Sequence, residues 1–322
     1  LSHGNEKLQN YFSYANTTGH GIIGKHNLSK HNLTFRETSV LLNSRLKLDG
    51  SMNLMRQVVK NKPTVGGFYM NPLVGLYRFP RGEDISYYKE NFEVYDEGRN
   101  LNIQNWHTSY EDFEQNPYWI TNRILSKENR MHVIVSLSAN LKINDWLSLQ
   151  ARGNVDYIND KVRQQFYAST APALAGANGR YIEMDYQETQ YYGDAILMMK
   201  KQWDAFSLNA ALGASINDKT VNSTRYDSKT ASLKYANVFN LANIIMNGSA
   251  GLDQKIDARR QLQSLFATAQ LGYNEFVYLD LSARNDWSST LAYTSHEKSG
   301  FFYPSVGFSL IFNKLMTLPR WV

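Results

Sequence analysis

Apolar and polar residues alternate with a period of two over long stretches of this chain, and that period requires extended strands. From Met131 to Ile143 every second residue is apolar, and most of the residues between them are polar. The same pattern runs from Leu147 to Tyr157. A helix would scatter both sets around its circumference, whereas a strand places them on opposite faces. The sequence therefore predicts an all-β chain.

The register of two hairpins follows from the same alternation. If Ile143 pairs with Leu147 across a three-residue turn, Leu141 lies opposite Leu149 and all the apolar residues share one face. A turn one residue shorter would put the two apolar sets on opposite faces. A second three-residue turn, between Tyr273 and Val277, works in the same way. Further strands are predicted at Arg45–Gln57, Thr189–Lys200, Phe206–Asn217 and Phe301–Phe312, with weaker ones near Leu8–Ala15 and Asn32–Val40.

The connections between these strands alternate between short and long. Short turns are predicted near Asn43, Asn144, Trp203, Asn274 and Asn313, and long polar segments at residues 58–130, 159–188, 218–258 and 287–300. Short turns on one side and long loops on the other are typical of an outer-membrane β-barrel. In such a barrel the apolar face contacts lipid and the polar face lines the lumen. We therefore expect Val135, Leu137, Leu149, Ala151 and Val155 to face lipid, and Ser138, Asn140, Gln150, Arg152 and Asn154 to face the lumen.

Composition narrows the class of protein only in part. Aromatic residues make up 13% of the 322 residues, and 21 of them are Tyr, which is favoured at membrane interfaces. A Tyr-rich soluble lectin or propeller would have a similar composition, and a mean hydropathy of −0.46 suits both that class and a barrel with a polar interior. The net charge of +5 is spread along the chain, which argues against nucleic acid as a partner. The absence of Cys excludes disulfides and Cys-ligated metals.

Two motifs follow one another near the end of the chain. The segment Ala283 to Leu291, with Arg284, Asn285, Asp286 and Trp287, is followed by Phe302 to Gly307, which contains Tyr303 and Pro304. This pair, in this order and spacing, resembles a barrel signature of the SusC/RagA family of TonB-dependent transporters. Other segments that resemble the family begin at Lys30, Asn71, Phe79, Asn116 and Asn237.

The resemblance implies a fold and a domain organisation. Members of the family form a 22-stranded antiparallel barrel that an N-terminal domain plugs. Residues 1–322 would then be one barrel segment of about ten strands, with short periplasmic turns and long extracellular loops. The plug domain, the N-terminal extension and the C-terminal strands of such a transporter are expected to be absent from it. A complete ten-stranded barrel is the alternative.

The resemblance also implies a function. Such transporters import oligosaccharides or peptides across the outer membrane of Gram-negative bacteria, together with a SusD-type lipoprotein on the extracellular face. TonB acts on the plug, so its contact would lie in the missing portion. A passive porin-like channel and a soluble all-β glycan-binding protein are the alternatives. No enzymatic activity, cofactor or metal is expected, because the sequence holds no HExxH, GxSxG or P-loop motif.

Candidate site residues fall into two groups. The aromatic residues and the histidine of the longest loop are candidates for substrate contact, because aromatic faces stack on sugar rings and peptide side chains. They are Trp106, His107, Tyr110, Tyr118 and Trp119. The alternative is that they pack the loop onto its neighbours. The signature residues Arg284, Asn285, Asp286, Trp287, Tyr303 and Pro304 are expected to be structural, with Arg284, Asp286 and Trp287 at the rim of the membrane.

Overall fold

The computed structural model of the chain describes residues 1–64, 69–108, 114–229, 233–246, 250–297 and 299–312. Within these ranges, eleven strands form one antiparallel sheet, and their order in the sheet is their order in the chain. The strands are β1 (Ser2–Gly4), β2 (Leu8–His20), β3 (Asn27–Leu41), β4 (Leu46–Lys60), β7 (Ile124–Lys142), β8 (Leu147–Phe166), β9 (Arg180–Trp203), β10 (Phe206–Asp227), β11 (Gly251–Tyr273), β12 (Val277–Ser288) and β13 (Phe301–Leu310).

The connection between β4 and β7 contains most of the remaining regular structure. It holds the helices α1 (Pro72–Arg78), α2 (Ile85–Glu90) and α3 (Pro117–Arg123), and a separate hairpin of β5 (Glu93–Asp96) and β6 (Leu101–Gln104). Two 3-10 turns lie later in the chain, at Leu241–Asn243 and Ser289–Leu291. No helix in the described ranges is both long and apolar enough to cross a membrane. The fold class predicted from the alternation is confirmed.

The hairpin registers predicted from the sequence are those of the structure. Leu141 pairs with Leu149 in the β7–β8 hairpin, and Leu271 pairs with Leu279 in the β11–β12 hairpin. Residues at the tight ends have left-handed backbones; Asn43 has φ 52° and Asn274 has φ 46°. Asn adopts this conformation at little cost, which is why Asn marked these turns in the sequence. The predicted turn at Asn313 lies outside the described residues.

An apolar band crosses the outward face of the sheet next to the short turns. On β8 it runs from Leu147 to Tyr157, which at the usual strand tilt gives a height of about 25 Å, that of the lipid-facing band of an outer-membrane barrel. Leu137 on β7 is 60% exposed and Val306 on β13 is 74% exposed. Apolar side chains that stay exposed along a whole face fill no protein core. This face therefore suits contact with lipid.

Polar side chains between the apolar ones bond to one another on the opposite face. Gln150 donates a hydrogen bond to Asn140 Oδ1 at 2.8 Å, and Asn154 donates one to Ser136 Oγ at 3.0 Å. Residues that the alternation assigned to lipid and to lumen therefore lie on two separate faces. The polar face is the lumenal face of the sheet.

The predicted lengths of the strands are wrong on the side of the long loops. The segment 159–188 was expected to be a loop, yet β8 continues to Phe166 and β9 begins at Arg180. The other long segments shorten in the same way, to 61–123, 228–250 and 289–300. Above the apolar band both faces of a strand meet water, so alternation disappears although backbone pairing continues. The strands therefore extend well above the membrane.

The first prediction concerns Leu137, which lies between Gly50 and Gly153 on the outward face. Leu137→Arg should destabilise the full-length protein by about 2–4 kcal/mol, because it places a charge in the lipid-facing band. Ser136→Arg is the matched control, since Ser136 lies on the polar face between Ser51 and Asn154. Heat-modifiable gel mobility measures the loss, and equal losses for the two variants would contradict the assignment of the faces.

Candidate functional site

A band of ionic side chains crosses the polar face at the height of the membrane. Arg152 on β8 binds Asp194 on β9 through both Nε and a terminal nitrogen, at 3.0 and 2.6 Å. Tyr192 donates a further hydrogen bond to Asp194 at 2.7 Å. The Asp194 side chain is almost fully buried by these partners. A buried carboxylate needs such compensation, and here it receives three donated bonds.

The band continues on β11 and β12 through two of the signature residues. Arg284 donates to Ser264 Oγ at 2.9 Å and to Asp286 at 2.8 Å. Trp287, one residue further, faces outward with the apolar set and is 37% exposed. The cluster expected at the membrane rim is therefore divided between two faces, because neighbouring residues of a strand point in opposite directions. Arg284 and Asp286 line the lumen.

The remaining signature residues lie on these last two strands. Asn285 pairs with Phe302 and shares the outward face with Trp287. Pro304 pairs with Ala283 on the outward face, and Tyr303, 55% exposed, pairs with Arg284. Pro lacks a backbone donor and is tolerated on an edge strand, which β13 is within the described sheet. Their structural role stays a prediction.

Above the membrane, the segment 61–123 builds a cap around the buried Asn116. Its side chain accepts a hydrogen bond from Tyr118 N at 2.8 Å, which caps the N-terminus of α3. Its amide also donates to the carbonyls of Tyr88 and Asn105, at 2.9 and 2.8 Å. The backbone N–H of Asn116 is bound by Gln104 Oε1 at 2.7 Å. One side chain thus joins three parts of the segment.

Two Asn-Pro pairs in this segment each start a short helix in the same way. Asn71 accepts from Leu73 N at 3.0 Å, and Pro72 occupies the first turn of α1, where a missing N–H costs nothing. Asn116 and Pro117 repeat the arrangement in α3. The two helices meet at Gly75, where any side chain would come within 2.6 Å of a backbone carbonyl of the loop. The Asn-Pro motifs of the sequence are therefore helix starts.

The aromatic candidates for substrate contact lie inside or against this cap. Trp119 is 0% exposed and donates its indole N–H to Thr170 Oγ1 at 3.1 Å. Trp106 is partly buried and the side chain of His107 is only 10% exposed; both approach the buried carboxylate of Glu114, at 3.3 and 3.2 Å. Tyr118 keeps partial exposure at the start of α3. Tyr110 lies outside the described residues. The structure thus places Trp119 in the packing of loop 167–179, and the partly exposed members of the set at the surface of the cap.

The other two long loops pack on opposite faces of the strand ends. Leu174 and Ala175 of the loop 167–179 contact Phe166 and Ile182 on the lumenal face. Leu233 and Ile244 of the loop 228–250 cover Tyr181, which points outward. Tyr181 and Ile182 are neighbours on β9 and are covered by different loops. The end of this strand is therefore enclosed on both faces.

A buried ion cluster holds the ends of β9 and β10. Arg180 binds both oxygens of Asp227 at 2.8 Å, and Arg225 binds one of them at 2.6 Å. Burial alone would raise the pKa of Asp227, but the bonds from Arg180 and from the backbone of Lys229, with the two positive charges, outweigh it. The pKa of Asp227 falls to about 2. This cluster and the Arg152–Asp194 pair were not singled out in the sequence, because only strand pairing brings Arg180 to Asp227 and Arg152 to Asp194.

A cleft of 580 Å³ lies on the lumenal face between the hairpin β2–β3 and the strands β4, β7 and β8. Its wall includes the pair Arg130–Asp160, 2.6 Å apart, and Glu128, Gln57 and His26. No cluster of His, Asp and Glu suited to a metal ion occurs within the described ranges. The cleft therefore offers hydrogen-bond donors and acceptors of both charges to a polar solute.

Solved structures of outer-membrane importers share this fold. No protein-family model matches the sequence, and neither does any curated protein. The RagAB peptide transporter is similar over 99% of this chain, with a TM-score of 0.69 and 18% identity. The ferric-catecholate import receptor Fiu from E. coli K12 is similar over 95%, with a TM-score of 0.51 and 10% identity. The P. aeruginosa receptor FpvA, bound to heterologous pyoverdines, is similar over 94%, with a TM-score of 0.56 and 11% identity.

This chain spans only part of those proteins. It matches 34% of the RagAB transporter chain, 47% of the Fiu chain and 35% of the FpvA chain. The resemblance to the SusC/RagA type and the outer-membrane setting predicted from the sequence are confirmed at the level of the fold. The sheet is a segment of wall of the kind that these larger barrels contain.

The second prediction tests Asn116 as the centre of the cap. Asn116→Ala removes the helix cap and leaves the Tyr88 and Asn105 carbonyls without a donor, so it should destabilise segment 61–123 by about 2–4 kcal/mol. Asn71→Ala is the control, because it removes one cap only and should cost about 1 kcal/mol. Limited proteolysis of the full-length protein reports both. Equal cleavage rates would count against a central role for Asn116.

The third prediction concerns pH. The pKa of Asp227 is about 2 in the folded protein and 3.8 ordinarily, so the cluster stabilises the strand ends above pH 4. That contribution, about 1–2 kcal/mol, is lost as the pH falls from 4 to 2. Pepsin cleavage of loop 228–250 should accelerate over that range. Asp227→Asn should already be cleaved fast at pH 4 and should show only the pH dependence of pepsin itself, whereas the exposed Asp253→Asn should behave as the unmodified protein does.

Proposed function

We propose that this chain is wall and loop structure of a SusC/RagA-type importer, which moves oligosaccharides or peptides across the outer membrane with energy delivered by TonB. The observation that carries the proposal is the sheet itself. It combines an exposed apolar band for lipid, an ionic lumenal face and loops packed above one end. The fold shared with the RagAB peptide transporter supports the same role.

The open edges of the sheet support a larger barrel. Within the described residues, β1 and β13 each pair on one side only. An unpaired strand edge in lipid leaves backbone groups without partners, at several kcal/mol for each group. We therefore propose that residues 1–322 act as one segment of a barrel whose other strands, and whose plug, are supplied by further chain. TonB would act through that plug.

The loops above the sheet are the proposed meeting place with a SusD-type lipoprotein. The helices α1 to α3 and the two packed loops present a folded platform on the side opposite the short turns. Trp106, His107 and Tyr118 remain candidates for substrate contact there, because they keep some exposure. Trp119 would need the cap to open before it could touch a substrate. Tyr110 remains a candidate on sequence grounds.

Two other functions make different demands on the same structure. A soluble glycan-binding protein would have to tolerate side chains such as Leu212 and Phe308, which are 57% and 64% exposed within a continuous apolar band. Such a band on a soluble protein would drive aggregation. A passive pore could have this wall, but it would need no energy source. The dependence of uptake on TonB separates a pore from an importer. We expect no enzymatic activity.

The fourth prediction tests transport. Cells expressing the full-length protein and its neighbouring lipoprotein should take up labelled oligopeptides or oligosaccharides, and uptake should stop when TonB is deleted or the proton-motive force is collapsed. We expect the uptake rate to fall by at least about tenfold, because substrate binding alone does not carry a solute past the plug. Undiminished uptake without TonB would favour the passive channel. Extraction by salt without detergent would favour the soluble protein.

A further inference from the structure

Five cationic side chains gather on the outward face of β4, β7 and β8, above the apolar band. They are Arg56, Lys60, Lys127, Lys161 and Arg163, and all are exposed. We call them the outward basic patch. All five point to the same side of the sheet as the apolar residues below them, because the register from β4 to β8 contains no bulge. The patch therefore points away from the lumen and toward the surrounding membrane surface.

Three of these side chains form a row of like charge. Lys60 pairs directly with Lys127, and Lys127 pairs directly with Arg163. Directly opposite residues on neighbouring strands have Cβ atoms about 4.5–5.5 Å apart, and like charges at that spacing repel one another. The chain cannot slip to relieve this, because Asn61 and Ser126 close the adjacent step of the ladder with bonds of 2.8 and 3.0 Å. The row is held in place at a cost to folding.

The chain supplies only part of the opposite charge. Arg163 contacts Glu183 at 3.1 Å, and Lys161 contacts Asp185 at 3.3 Å. Arg56, Lys60 and Lys127 have no ion pair among the described residues. The other outward side chains at this height on β3 and β7 include His31, Ser29 and Asn129, none of them acidic. Five cations thus face two carboxylates, and the patch attracts an external anion.

The height of the patch indicates which anion. Arg56 lies next to the upper end of the apolar band, opposite Met131. Lys161 and Arg163 lie four and six residues beyond Tyr157, which at the usual tilt of a barrel strand is about 10–15 Å higher. Acyl chains that cover the band place their head groups at this level. A phosphorylated glycolipid would set its chains on Leu137 and its neighbours and its phosphates against the lysines.

We propose that the outward basic patch binds the phosphate groups of a phosphorylated glycolipid in the outer leaflet. Lys and Arg beside an anionic lipid surface each strengthen binding several-fold, and Arg pairs with phosphate in a two-pronged geometry. The lipid phosphates would neutralise the row Lys60–Lys127–Arg163 and fix the height of these strands in the membrane. The inference depends on which face of the sheet points outward. It does not depend on which solute is imported.

The experiment uses the full-length protein in detergent, with purified lipopolysaccharide as the probe. The variant Lys60→Gln/Lys127→Gln/Arg163→Gln should bind it at least about tenfold more weakly than the unmodified protein. The control is Lys142→Gln/Lys200→Gln/Lys201→Gln, three exposed cations at the short-turn ends of β7 and β9, which removes the same charge far from the patch and should change affinity by less than about twofold. Heat-modifiable mobility verifies that each variant is folded. If the triple variant does not fold, Lys127→Gln alone should still weaken binding about threefold.

Two further arms identify the ligand. Lipopolysaccharide stripped of phosphate should bind at least about tenfold more weakly to the unmodified protein. Inorganic phosphate, at the phosphate concentration of the lipid, should not displace it. Equal binding of the stripped lipid, or equal binding by the triple variant and its control, would overturn the proposal. Displacement by inorganic phosphate would also overturn it, because the site would then be one for a free anion.

Discussion

Backbone hydrogen bonding without water is the constraint on which the rest of this structure depends. A strand that crosses lipid must pair its N–H and C=O groups with its neighbours, so the chain forms one continuous antiparallel ladder from β1 to β13. That ladder fixes the direction of every side chain. It follows that a single choice of register places Leu137 outside and Arg152 inside, and that the apolar band and the ionic band are two sides of the same sheet.

The ionic band is stable because strand pairing places opposite charges directly beside one another. Arg152 and Asp194 sit directly opposite on β8 and β9, so the carboxylate gains its partner from strand pairing. The same logic explains one partner of Asp227: pairing of the strand ends brings Arg180 from β9, whereas Arg225 lies two residues earlier on β10 itself. Where pairing sets like charges opposite one another, as for Lys60 and Lys127, the protein gains nothing by itself. The lipid phosphates proposed above would offset that repulsion.

The strand ends above the apolar band are surrounded by water, whereas the band itself is surrounded by lipid. Both faces of a strand meet water there, so loops can pack on either face. The loop 167–179 covers the lumenal face and the loop 228–250 the outward face of the same strand ends. The cap of segment 61–123 combines the hydrogen bonds around Asn116 with a cluster of packed rings from Phe79, Tyr88, Trp106 and His107.

The sequence by itself determined the fold class, the two faces and the registers at Leu141 and Leu271, because period-two alternation and turn geometry are local properties. It also located the Asn-Pro motifs and the signature around Arg284. It did not show that the strands run on above the membrane, since alternation ends where lipid ends. Tertiary structure alone decided that Arg152 meets Asp194, that Trp119 is buried and that Lys60, Lys127 and Arg163 form one row. Each of these depends on which strands or loops are neighbours, and that information is not carried by the period of any one segment.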